Sequence, residues 1–343
     1  MRLYTSLFVC ILLATKLFSQ EPEIQSVTSA INSEMLALED TLSALSISIL
    51  TDSLLINRQQ ANDQFCKLFE DGMQNEGAYE FAFDSLLSVS KLVAPDESFK
   101  IFTWQFFESD DVYVYYGYIV HKDGRIMALK DNSQDYFAPE FEIGNKDHWY
   151  GALYYNMYPY KGIDGKMHYL MFGYDGNSLF ENRKVIDVLS WDDKGMPVFG
   201  AGVFQASEQS KGHPPVVNRV LLEYFVAAKV SCNYEEIHEH ILFDHLIFKK
   251  TPYGEYMVPD GSYEGYVYAD GMWKHVSKMF NHSYGDNNFP TPEPILTKEK
   301  KKDMFGNEHK RATKNVNRDS KLYKKARANN KKKDLEKEND IEN

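Results

Sequence analysis

The stretch HEHILFDHL at 238–246 holds three histidines, a glutamate and an aspartate among four apolar residues. Imidazoles and carboxylates are the ligands of zinc and also the usual acids and bases of catalysis. Read as a strand, one face carries His238, His240, Leu242, Asp244 and Leu246, and the other Glu239, Ile241, Phe243 and His245. Two histidines at i and i+2 of a strand can share one ion if a third ligand arrives from elsewhere. His148, His168, His275 and His282 are the available imidazoles for that role. Two features weigh against a metal. Leu242 sets Asp244 a full pleat away from the pair, and it also occupies the position where a helical zinc motif needs its second histidine. Histidine is moreover a common polar end to a strand. His238 and His240 are metal candidates, but the structural reading is preferred and no cofactor is implied.

Other constellations are weaker. Asp244 and His245 form an Asp-His pair without a nucleophile, since no G-x-S-x-G elbow occurs and Cys232 has no local activating residue. An aspartate inside an apolar run, as Asp244 and Asp187 are, normally accepts hydrogen bonds from a turn or an arginine. The pairs Asp110/Asp111 and Asp192/Asp193 read as turn residues rather than an acid and a base. GAG at 200–202 lacks the third glycine and the following helix of a phosphate loop.

The aromatic residues are the most unusual feature. In VYVYYGY, Tyr113 and Tyr115 share one strand face and Tyr116 and Tyr118 the other, and HWYGALYYNMYPY follows. Tyrosine can bury its ring while wetting its hydroxyl, so core packing accounts for many of these residues. The functional reading is a ring platform of Trp104, Trp149, Tyr150, Tyr154 and Tyr155, suited to stacking on a sugar or gripping a peptide.

Three kinds of element must position these groups. Ile31, Met35, Leu38, Leu42, Leu45 and Ile49 alternate steps of four and three, which is one stripe of a helix. A second helix is expected through Phe65, Leu68 and Phe69 and a third over 81–93, so that 21–94 forms a helical region ended by Pro95. From there to 288 the segments 100–107, 112–121, 150–158, 168–174, 184–191, 198–204, 219–230, 238–248 and 263–268 are rich in Tyr, Phe, Val and Ile. Between them stand Asp123-Gly124, Asp164-Gly165, Asp175-Gly176, Lys194-Gly195, Asp260-Gly261 and Asp270-Gly271, the dipeptides of tight hairpins. The fold class is α+β, mainly β: helices followed by an antiparallel barrel or two-sheet domain, with a propeller-like arrangement as the alternative. No repeat of about 40–45 residues supports the propeller.

The 343 residues carry a net charge of -12. Of the 38 basic residues 16 lie in 298–343, with 9 of the 50 acidic ones, so that segment is +7 and the remainder -19. An acidic body is a poor partner for nucleic acid or an anionic membrane. The segment 289–343, Pro-rich and then lysine-rich with few aliphatic residues, is expected to be a disordered tail able to contact an anionic surface polymer. At the other end, MRLYTSLFVCILLATKLFSQ has a basic start, a short apolar run and a polar finish. It reads as a signal peptide over 1–20, cut after Ser19 or Gln20. No later segment approaches the roughly 18 uninterrupted apolar residues of a membrane span. Of three cysteines, Cys66 and Cys232 would remain, either paired in an oxidising compartment or as two buried thiols.

FDSL at 83–86, APDESFKIFTW at 94–104, HWYGALYY at 148–155, FGYDGN at 172–177, RKVIDVL at 183–189, FDHL at 243–246 and PDGSY at 259–263 follow one another along the chain. In that order they resemble a group of exported, uncharacterised β-rich proteins of the Bacteroidota, over about residues 80–280. The resemblance implies export, to the periplasm or beyond, and a shared β-rich domain. It implies no activity, and it leaves the lysine-rich segment unexplained. Two functional expectations follow from different classes. One is a non-catalytic envelope or extracellular protein that binds a carbohydrate, a peptide or an envelope protein. The other is a hydrolase of an extracellular polymer, acting through carboxylates or a His-bound metal of the β-domain.

Overall fold

The computed structural model describes residues 21–109, 112–205, 216–251 and 253–279, with side chains from Asn32 onward. The signal segment, Asp110/Asp111, His282 and the lysine-rich segment lie outside the described residues. Among the described residues, no helix is long and apolar enough to cross a membrane.

Helix α1 (Glu21–Thr51) and helix α2 (Leu55–Gly72) follow from the stripes read in the sequence. Met35, Leu42 and Ile49 are fully buried, with Leu38 and Leu45 packed beside them. From α2 come Ala61, Phe65 and Phe69. Their common target is one face of the first sheet, formed by β1 (Ser90–Val93), β2 (Phe99–Ser109), β3 (Val112–His121) and β4 (Ile126–Lys130) in sequential antiparallel order.

The third helix expected over 81–93 does not form. Residues 73–89 are turns, and Ser90–Val93 is instead the edge strand β1, paired with Lys100–Thr103 of β2. Phe83, Leu86 and Val89, three residues apart, imitate a helical stripe but reach the core from successive turns, with Phe83 at φ 54°. The turns are tied to α1 by side chains. Glu39, itself buried, accepts a hydrogen bond from the Ser85 amide at 2.6 Å, and Ser88 bonds Ser46. The helical region therefore ends at Gly72, not at residue 94.

The second sheet runs β5 (Gly144–Asn145), β9 (Pro197–Phe199), β8 (Glu181–Trp191), β7 (Met167–Asp175), β6 (Leu153–Lys161), with β12 (Val220–Phe225) also on β8. The third runs β11 (Val216–Val217), β10 (Phe204–Gln205), β16 (Met272–Val276), β15 (Gly254–Ala269), β14 (His240–Thr251), β13 (Cys232–Glu235). Among the described strands every pairing is antiparallel except the short one between β10 and β16. Neither the closed barrel nor two sheets describes the result. Three open sheets and the helices lie in four layers, separated by three cores.

Period-two alternation makes this layering possible. On β2, Phe99 and Ile101 face the second sheet while Phe102, Trp104 and Phe106 face the helices. On β7 and β8, Tyr169, Met171, Val185 and Leu189 face the first sheet. Leu170, Phe172, Ile186 and Val188, one residue on, face the third. A strand covered on both faces has no room for polar alternation, and this accounts for the dense apolar runs in the sequence.

Candidate functional site

Trp104 is 2% exposed in the core beneath the helices, where its indole N–H donates to Asn62 Oδ1 at 2.9 Å. Trp149, Tyr150 and Tyr154 are buried between the first and second sheets, and Trp149 Nε1 donates to the Tyr154 hydroxyl at 3.0 Å. Tyr155 is exposed at a bulge of β6, its hydroxyl donating to the Cys232 carbonyl and one face of its ring covered by Lys184 Nζ at 4.6 Å. The ring platform expected from these five residues is corrected: four belong to cores, and a ring enclosed on both faces cannot stack on a ligand. The physical cause is the layering: the helices cover Trp104 on the first sheet, and the first sheet covers Trp149, Tyr150 and Tyr154 on the second.

Tyrosine hydroxyls instead serve buried carboxylates. Asp175 accepts from Tyr115 at 3.2 Å, Tyr150 at 3.0 Å and the Asn177 amide at 2.9 Å, and Arg183 Nη1 stands 3.9 Å away. Burial pushes its carboxyl above the usual range, against the pull of those donors. Asp131 accepts from the amides of Tyr115, Ser133 and Gly151, joining three segments at one side chain. Asp187 pairs with Arg219 at 2.8 Å with both side chains fully enclosed, and Arg219 also donates to the Pro139 carbonyl. The guanidinium lies 5.5 Å and 5.0 Å from the ring centroids of Tyr136 and Tyr150. These carboxylates are occupied in holding sheets and loops together. Asp192 accepts from the Lys194 and Met196 amides within a hairpin turn, and Asp193 pairs with Lys166.

The two cysteines are free thiols in different cores, Cys66 beside the helices and Cys232 between the second and third sheets. Of the two alternatives, pairing is overturned, because the first and second sheets stand between the thiols. Burial pushes Cys66 up to about 11 and Cys232 up to about 12, so neither is a thiolate near neutrality.

The histidine stretch is divided between a turn and a strand. Glu235 and His240 are directly opposed in the β13–β14 hairpin, and 236–239 is the connecting turn, with Glu239 at φ 58°. His238 is therefore a turn residue, not a strand neighbour of His240, yet the two imidazole centroids are 5.5 Å apart. Of the imidazoles considered from sequence, the three among the described residues are engaged elsewhere: His148 stacks on Tyr136, His168 bonds Asp164, and His275 bonds Glu264. The third group is Glu235, whose Oε2 lies 2.7 Å from His238 Nδ1 and accepts the His238 amide at 2.9 Å. Ligand atoms of Glu235, His238 and His240 all fall within 4.8 Å of one another, the one such group among the described residues. Glu235 escaped the sequence reading because E-x-x-H-x-H converges only when a hairpin folds it back.

Further along the same sheet, Glu264 bridges two histidines. Its Oε1 meets His245 Nδ1, and its Oε2 lies 2.9 Å from His275 Nε2. A β-bulge between Asp244 and Leu246 accommodates His245, while Asp244 accepts the Ser231 amide at 2.6 Å in a structural role. Partial burial pulls the Glu264 carboxyl upward, but the two imidazole hydrogen bonds outweigh it and hold it below the usual range.

Beyond the bulge, β14 and β15 continue as a two-stranded ribbon from Leu246–Pro259 to the Thr251–Gly254 pair. Here aromatic rings do reach the surface. Tyr253 (65% exposed) and Tyr256 lie against Phe180 and Phe225, with centroids 5.0–6.3 Å apart and planes tilted by 29–33°. Phe248, on the opposite ribbon face, is 75% exposed. Leu179 and Val226 widen the apolar surface. No protein-family model, curated protein or solved structure matches this chain.

Proposed function

We propose that this chain is an exported, non-catalytic interaction protein whose partner is met by the aromatic surface of the β14–β15 ribbon. The observation that carries this reading is the cluster of Phe180, Phe225, Tyr253 and Tyr256, four shallowly tilted rings gathered against one another at the surface. Exposed apolar patches of this kind mark interaction surfaces, and near-parallel rings suit the faces of sugar rings or the side chains of an extended peptide. The deep carboxylates support the same side of the choice. Asp175 and Asp187 are enclosed away from any substrate, and Asp131, which lines a cavity, already accepts three backbone amides.

Export rests on the signal-like first twenty residues and on the resemblance to exported β-rich proteins of the Bacteroidota. The envelope then supplies the partner classes: a carbohydrate, a peptide or another envelope protein. The lysine-rich segment 298–343 adds attraction to an anionic surface polymer, which fades as salt shortens the Debye length below about 10 Å.

The test is co-sedimentation of the purified protein with washed cell-envelope fragments at physiological salt. Wild-type protein is expected in the pellet, and the double variant Tyr253→Ser, Tyr256→Ser, with an unchanged melting temperature, is expected in the supernatant. Equal sedimentation of both would remove the ribbon surface from the proposal. Full-length, unprocessed chain confined to the cytoplasm would overturn export.

A further inference from the structure

We propose that the β13–β14 hairpin binds one divalent transition-metal ion of the zinc type through Glu235, His238 and His240. The site is separate from the ribbon surface and goes beyond the interaction function. Two observations carry it. The ligand atoms already lie within 4.8 Å of one another. Around an ion at about 2.0–2.2 Å, tetrahedral ligands stand roughly 3.4 Å apart, so only a small contraction is required. His238 Nδ1 and Glu235 Oε2, hydrogen-bonded at 2.7 Å, are held side by side and need to part only slightly for an ion to replace the shared proton.

The backbone supplies the preorganisation. Glu235 and His240 are a cross-strand pair, so their relative position is set by the ladder and not by flexible loops. His240 is enclosed, at 5% exposure, which holds one imidazole in place. His238 is exposed, leaving an open side from which an ion arrives and loses its water. Glu235 accepts the amides of Ile237 and His238, so the carboxylate that would ligate the ion also shapes the turn presenting the second ligand.

The donor set decides the ion. Two imidazoles and one carboxylate suit zinc, cobalt, nickel or copper(II). Calcium and magnesium demand mostly oxygen ligands, and copper(I) prefers sulfur. The turn sequence EEIHEH adds Glu236 and Glu239, whose negative charge raises the local concentration of a dication. Three protein ligands leave at least one coordination position for water or for a donor from another molecule.

The experiment is titration of the tag-free full chain with Co(II), followed by visible absorption, and then displacement by Zn(II) followed by calorimetry. One equivalent of Co(II) with a ligand-field band, displaced by one equivalent of Zn(II), is expected. His238→Ala, a change at an exposed position, should weaken Zn(II) binding by at least about 100-fold, more than the ~10–100-fold typical of losing an outer-shell partner. Glu235→Gln should weaken it as well. His275→Ala, in the neighbouring Glu264 cluster, should leave it unchanged. Absence of a stoichiometric Co(II) band, or wild-type affinity in His238→Ala, would overturn the assignment. Loss of binding in His275→Ala but not in His238→Ala would place the ion at Glu264 and equally overturn it.

Discussion

Replacing Asp187 with alanine tests the claim that the buried carboxylates are structural. The Arg219 guanidinium, with no exposed surface, would keep one acceptor, the Pro139 carbonyl. Its Nη2 has no hydrogen-bond partner among the described residues. Removing one member of a buried ion pair costs about 3–5 kcal/mol, because the remaining charge is stranded in a medium that cannot solvate it. In a folded body of this size 1 kcal/mol moves the melting temperature by about 2–4 °C, so Asp187→Ala should lower it by roughly 10 °C. Differential scanning calorimetry at pH 7 reads this directly. The reverse substitution, Arg219→Met, should cost less, and less still in mild acid. Burial already pushes the Asp187 carboxyl up, and without Arg219 it can take a proton, whereas an arginine cannot release one. The sign follows from linkage: the folded state then binds a proton that the unfolded chain has lost, so stability rises as pH falls. The double variant Asp187→Leu, Arg219→Met should recover most of the loss. A melting temperature for Asp187→Ala within about 2 °C of wild type would refute the reasoning, because the stranded cation would then have found another partner.

Glu264→Gln should narrow the pH range of stability. A carboxyl held low by folding stabilises above the unfolded glutamate value of about 4.3, and that advantage is lost as pH falls through its lower folded value. Urea titrations of both proteins from pH 7 to 3 should therefore converge at the acid end; a constant gap would refute it. Cys232 should react with a thiol reagent at pH 8 only at the rate of unfolding, since it is buried and burial keeps it protonated; immediate labelling of Cys232 in native protein would contradict its enclosure. Gly265→Ala should destabilise by about 1–3 kcal/mol, because an added Cβ would lie 2.0 Å from the Ile241 carbonyl oxygen in the neighbouring strand. A neutral effect in chemical denaturation would mean that β14 and β15 can separate locally at no cost.

Local patterning determined much of the secondary structure. The α1 stripe through Met35, Leu42 and Ile49 was legible because helical periodicity is a property of the chain itself. So were most hairpins, because Asp-Gly pairs state their turn preference locally, as at Asp270-Gly271 where both φ angles are positive. One such pair, Asp260-Gly261, lies inside β15, where the ribbon emerges, and no local signal separates that use from a turn. Phe83, Leu86 and Val89 misled for a related reason: a spacing of three is shared by a helix and by a string of turns. Tertiary structure alone decided which faces were covered. The aromatic positions of Trp149, Tyr150 and Tyr154 were visible in the sequence, but their burial required knowing that the first sheet packs over the second on that face. The histidine site divides the same way. His238 and His240 announce metal-ligand chemistry as residue types, but Glu235 joins them only across a hairpin, because proximity between strands is set by register and not by spacing along the chain.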